Sequence, residues 1–151
     1  KNRNIHFLFI GDGAEKENLV DFSKSLKVNN FTFLDSVSKD EIYKYIMISD
    51  YSLVNLKKSK EFLNVIPSKI FENIALYKPI LLGVEGESKS IIEYYGVGVC
   101  YKPENTKSFL NAVENILSVD LIEFKKNCDK MMKDFNRNEI AEKMINFIKS
   151  D

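Results

Sequence analysis

The sequence predicts an α/β fold: a doubly wound, Rossmann-like parallel sheet with helices on both faces and extra helices at the C-terminal end. Three observations carry that expectation. Short, nearly all-apolar runs recur along the chain, two of them ending in glycine, as buried parallel strands do. Segments with helical apolar spacing fall between consecutive runs, the alternation that winds a parallel sheet. All six glycines and all three prolines sit at element ends.

The elements follow in order. Ile5-His6-Phe7-Leu8-Phe9-Ile10 is the first strand and ends in Gly11-Asp12-Gly13. Residues 14–28 carry Leu19, Phe22 and Leu26 at helical spacing. Phe31-Thr32-Phe33-Leu34 is the second strand. Ser38-Lys39-Asp40-Glu41 is a capping box, in which the hydroxyl accepts from the Glu41 amide and the carboxylate reaches back to the Ser38 amide. Ile42, Tyr45 and Ile46 continue that helix, and Tyr51-Ser52-Leu53-Val54 is the third strand. Residues 55–66 are less regular and hold the cluster Lys57-Lys58-Ser59-Lys60. Pro67 then opens a helix, where its missing N–H costs nothing, with Ile70, Phe71, Ile74 and Ala75 on its apolar face. Pro79-Ile80-Leu81-Leu82-Gly83 is the fourth strand. The helix after Glu87 should stop at Gly96 in the left-handed conformation, and Val97 through Tyr101 is the fifth strand. Helical stretches at about 106–118, 120–134 and 138–149 close the chain. With no strands between them, residues 120–149 are expected to pack as an appendage on the sheet.

Composition narrows the function classes. The chain has 151 residues, 22 basic and 22 acidic side chains and no formal net charge. That length suits a single domain. A zero balance argues against nucleic-acid binding, which needs a net basic face. A hydrophobic fraction of 44% supports a substantial core, and 29% charged residues supply an ordinary polar surface. No apolar run approaches the roughly 18 residues of a membrane span. Cys100 and Cys128 are too few for a disulfide framework and lack metal-ligand spacing, which points to a reducing, cytoplasmic setting. His6 has no second histidine to make a His-based metal site with, and no acidic pair sits at a strand end with a plausible divalent geometry, so no metal is expected; no cofactor is expected either. The opening Lys1-Asn2-Arg3-Asn4 lacks a Met and enters a strand at once, which reads as the cut end of a longer protein.

In an open parallel sheet, ligands bind beyond the carboxyl ends of the strands. The segments at such positions are Gly11–Gly13, Asp35–Ser38, Asn64–Glu72 and Gly83–Glu87. Free amides and the helix dipole at a helix start favour a phosphate, so a phosphorylated ligand is expected. Gly11-Asp12-Gly13 lacks the third glycine of the dinucleotide fingerprint, because Lys16 stands at that position. Ser68 and Lys69 bring a hydroxyl and an ammonium to the first helical turn after Pro67. Glu72 lies three residues beyond Lys69, on the same side of the helix. An exposed Lys69–Glu72 ion pair is the plain structural alternative.

The order of these segments resembles the C-terminal, nucleotide-sugar-binding half of GT-B fold retaining glycosyltransferases of family four. The matching stretches are Phe9-Ile10-Gly11-Asp12-Gly13, Phe31 through Ile42, Pro67 through Leu81, and Gly96-Val97-Gly98-Val99 with Pro103-Glu104-Asn105. Together they cover about residues 5–117. The Pro-Ser-Lys form, with Gly83 through Glu87, is similar to bacterial transferases that build capsule or lipopolysaccharide. The resemblance implies one donor-binding domain for a nucleotide sugar, a UDP-sugar by expectation, with no catalytic residue assigned. Glu72 matches the second glutamate of the E-x7-E motif and would receive the ribose hydroxyls. Pro67, Ser68 and Lys69 match the diphosphate segment, Val37 flanks the base, and Gly11 and Gly13 lie near the same cleft. The first glutamate of the motif is replaced by Asn64. The resemblance further implies that a saccharide or lipid-linked acceptor binds mainly to an N-terminal domain absent from this chain. Peripheral association with the inner face of a membrane fits such an acceptor, and the fragment alone is expected to be inactive. A non-catalytic Rossmann-like module and half of a nucleotide-sugar epimerase are the alternatives.

Overall fold

The computed structural model describes residues 5–149; Lys1–Asn4, which carry the reading of a cut end, lie outside them. Within that range the chain forms five strands and seven α-helices in alternation, with three helices in succession at the end. The strands are β1 (Phe7–Ile10), β2 (Phe31–Leu34), β3 (Ser52–Asn55), β4 (Ile80–Gly83) and β5 (Gly98–Cys100). The helices are α1 (Lys16–Ser25), α2 (Lys39–Ile48), α3 (Ser68–Ala75), α4 (Glu87–Tyr95), α5 (Thr106–Ile116), α6 (Leu121–Asp134) and α7 (Arg137–Lys149). All pairings are parallel, and they form two sheets, β1-β2 and β3-β4-β5. The α/β class with parallel sheets therefore holds. The chain divides into two compact units at Tyr45/Ile46, within α2.

In the first unit, period-2 alternation puts Phe7 and Phe9 on one face of the sheet, beside Phe31 and Phe33 of the partner strand. Their rings stack at 5.4 Å for Phe7–Phe31 and 5.1 Å for Phe9–Phe33. The expected stripe on α1 faces outward: Leu19, Phe22 and Leu26 are 50%, 62% and 50% exposed. The capping box forms at α2: the Glu41 amide donates to Ser38 Oγ at 3.3 Å, and the Ser38 amide to Glu41 Oε2 at 3.2 Å.

The second unit has the core. Alternate residues of β4 point to opposite faces of the sheet. Ile80 and Leu82 pack with Ile70 and Ile74 of α3 and Ile92 of α4, while Leu81 packs with Ala112 and Ile116 of α5. Helices thus cover both faces of β3-β4-β5, as a doubly wound sheet requires. α6 is built into the first of these clusters through Phe124, Cys128 and Met131. Burial of Phe124 and of Met131 contributes about 1.5–3 kcal/mol each. Polar clasps hold α6 in place: Tyr77 Oη donates to Asp129 at 2.6 Å and Tyr95 Oη to Asp134 at 2.9 Å. Lys125 and Lys130 lie over the Tyr77 and Tyr94 rings. Gly96 ends α4 with φ 63°, the left-handed cap expected for it.

Two outcomes follow from this packing. Met131→Ala should cost about 2–5 kcal/mol, whereas Met144→Ala on exposed α7 should stay within about 0.5 kcal/mol; urea unfolding of both variants decides this. Burial, followed by the bond to Asp134, pushes the Tyr95 hydroxyl up to about 12. Because the folded value lies above the ordinary one near 10, this contribution is complete below about pH 10 and is lost as pH rises through 12. The urea midpoint should therefore fall across that window, and Tyr95→Phe should flatten the fall.

Candidate functional site

The site residues expected from the sequence divide between the two units. Gly11, Gly13 and Val37 belong to the first, and Pro67, Ser68, Lys69 and Glu72 to the second.

In the first unit the loops that leave β1 and β2 are joined by one side chain. Lys16, the first residue of α1, donates to Asp12 Oδ1 at 2.9 Å and to Asp35 Oδ1 at 2.5 Å. The Lys16 bond, then a bond from Ser36, holds the Asp12 carboxyl below its usual range, and Asp35 and Asp12 raise the Lys16 ammonium. The lysine is largely covered while the carboxylates are open to solvent, so the pairs orient the loops more than they stabilise the fold. The position where a dinucleotide site has its third glycine thus carries a side chain with a task of its own. Gly11 has φ +141° and open space around the position of a Cβ; Gly13 is equally open. Val37 is half-buried, one residue before the cap of α2.

In the second unit, Pro67 is the N-cap of α3, one position earlier than the sequence suggested, with φ −61° and ψ 133°. Ser68 and Lys69 are the first helical residues and both are exposed, while Glu72 is half-buried. Among the described residues Lys69 and Glu72 form no ion pair with each other or with another group. The surface-pair alternative is thereby set aside, and both charges are available to a ligand. The apolar face of α3 turns elsewhere: Ile70 and Ile74 are buried, and Phe71 meets Phe135 at 5.1 Å.

Helix starts in this unit differ in a way that matters for an anion. Asn105 caps α5, Asp120 caps α6 and Asn136 caps α7, each with a side-chain oxygen. The Glu87 amide that starts α4 donates to the Leu63 carbonyl at 2.7 Å, so the Gly83–Glu87 segment does not offer that amide to a ligand. Only α3, among the described helix starts of this unit, has neither a side-chain cap nor an outside acceptor. Its free amides and dipole can stabilise an anionic group placed beside Ser68 and Lys69. Asn64, in the place of the family glutamate, is exposed on the segment that leads to this helix.

The family of glycosyl transferases group 1 matches this chain over residues 1–147. The chain belongs to that family. A search of curated proteins finds no match. Membership in glycosyl transferases group 1 supports the reading of a nucleotide-sugar-binding half of a glycosyltransferase, with a sugar donor as its ligand. Among the described residues no helix is long and apolar enough to cross a membrane, and no group of three or more His, Cys, Asp or Glu could hold a metal ion.

Sequence reasoning did not find the Lys16 bridge or the contacts that hold residues 63–65 against α4. The first had a signal, a cation at the position of an expected glycine. The second had none, because its acceptors are backbone carbonyls. Lys69→Met and Glu72→Gln, which break no ion pair or side-chain hydrogen bond among the described residues, should each change stability by less than about 0.5 kcal/mol in urea unfolding.

Proposed function

We propose that this chain binds the nucleoside diphosphate of a UDP-sugar, as the donor half of a glycosyltransferase that assembles bacterial capsule or lipopolysaccharide. The observation that carries the reading is the uncapped first turn of α3, with the hydroxyl of Ser68 and the free ammonium of Lys69 on it. Glycosyl transfer breaks the bond between the sugar and the terminal phosphate and leaves that charge on the nucleoside diphosphate. Free amides and a cation placed beforehand beside that phosphate stabilise the charge as it develops. Glu72, one turn further along the same helix, carries a carboxylate suited to two vicinal ribose hydroxyls. The proposal for Gly11, Gly13 and Val37, in the first unit, rests on the sequence resemblance alone.

The acceptor is a saccharide or a lipid-linked saccharide, bound mainly by the N-terminal half of the enzyme at the inner face of the membrane. Transfer needs donor and acceptor in one water-poor cleft, and the share of it proposed for this chain is donor binding. The Pro-Ser-Lys form of the α3 start supports the surface-polysaccharide assignment.

UDP should stabilise the chain in a thermal-shift assay, by ~2.7 kcal/mol when present at ~100 times its dissociation constant. Glu72→Ala should weaken UDP binding by about 1–3 kcal/mol, the scale of hydrogen bonds to a charged group. Calorimetry checks this, and an unchanged affinity would remove Glu72 from the site.

A further inference from the structure

Residues 56–66 run from β3 to the start of α3 as a strap, with a single turn of 3₁₀ helix at Lys60–Phe62. Leu63, Asn64 and Val65 are exposed, so apolar packing of their side chains does not fix this part of the strap. Three contacts from the start of α4 do so. The Glu87 amide donates to the Leu63 carbonyl at 2.7 Å. The hydroxyl of Ser88, a residue with 0% exposure, donates to the Val65 carbonyl at 2.6 Å. Gly86 has φ +79°, and a Cβ there would lie 2.1 Å from the Leu63 carbonyl oxygen. The strap and the α4 start therefore meet backbone to backbone, a fit that needs glycine at position 86.

This clamp ends two residues before the N-cap of α3. Ile66 packs on the core, and Pro67 has little freedom about φ. The point at which Val65 is held is thus passed through two restrained residues to the free amides of Ser68 and Lys69. Ser88 is also one of the few polar side chains buried in this unit, and its neighbours on α4, Ile91 and Ile92, are apolar. A hydroxyl at that place is explained by the bond to Val65.

We infer that Ser88 is a positioning residue for the diphosphate end of the donor site, acting through the strap on the first turn of α3. The inference rests on the donor reading above. It concerns a residue that makes no contact with the ligand and that lies 23 positions from the carbonyl it holds.

Native-state hydrogen exchange by NMR and UDP calorimetry test it together, on Ser88→Ala and on Ile116→Val, a buried truncation on α5 in the other core cluster. In Ser88→Ala the amides of Val65, Ile70 and Glu87 should exchange at least about tenfold faster, as expected of a locally opened segment. The dissociation constant for UDP should rise about tenfold, which corresponds to 1.4 kcal/mol. Ile116→Val should lower the unfolding midpoint without a selective change at those amides and without weakening UDP. Unchanged exchange at the three amides in Ser88→Ala overturns the inference, and so does faster exchange with unaltered UDP affinity. A wild-type chain that binds no nucleoside diphosphate overturns the donor reading instead, while the exchange data still decide whether Ser88 sets the first turn of α3.

Discussion

The second unit depends on one packed layer, in which α3, α4 and α6 share a core against β3 and β4. Ile70, Ile74, Ile92, Cys128 and Met131 are at most 1% exposed, so none can shift without disturbing the others. Because Ile70 and Ile74 are locked there, α3 has a fixed rotation about its axis. Ser68, Lys69 and Glu72 lie on the remaining circumference and keep some solvent access. The amphipathic division of an eight-residue helix thus decides which groups a ligand can meet. The clasps from Tyr77 and Tyr95 to α6 hold the same arrangement from its far side.

The treatment of helix ends separates structure from chemistry. A folded chain gains from satisfying the free amides of each helix start. This chain does so with asparagine at α5 and α7 and with aspartate at α6. At α4 it uses a backbone carbonyl from a distant loop. At α3 it places a proline, which can supply no side-chain acceptor. Leaving those amides open forgoes some stability, and it leaves a helix start of the kind that can receive an anion. The orphaned Oδ1 of Asn73, whose Nδ2 donates to the Lys69 carbonyl, lies on the same helix; nothing in the fold accounts for it.

The first unit shows the opposite balance. None of its described residues is buried, and the apolar stripe of α1 is open to solvent. Stacked phenylalanines and parallel pairing give the two strands their order. The loops beyond them are arranged by charge, through Lys16 between Asp12 and Asp35. Free-standing exposed pairs contribute little to stability, and here a single cation is shared by two loops that the strands already bring side by side.

What the sequence determined by itself is what depends on neighbours a few positions apart. Apolar runs marked the strands, the Ser38–Glu41 box marked the start of α2, and Gly96 marked the end of α4, because capping, period and left-handed turns act within one helical turn. The resemblance carried by Gly11-Asp12-Gly13 and Pro67-Ser68-Lys69 led to the family for a similar reason, since short motifs keep their spacing. The tertiary structure alone decided that α6 enters the core, that the stripe of Leu19, Phe22 and Leu26 faces outward, and that Lys69 and Glu72 do not pair. It alone decided that carbonyls at 63 and 65 meet α4. Each of these joins or separates surfaces far apart along the chain. Their partners include backbone atoms, which are the same at every position and therefore leave no mark in the order of side chains.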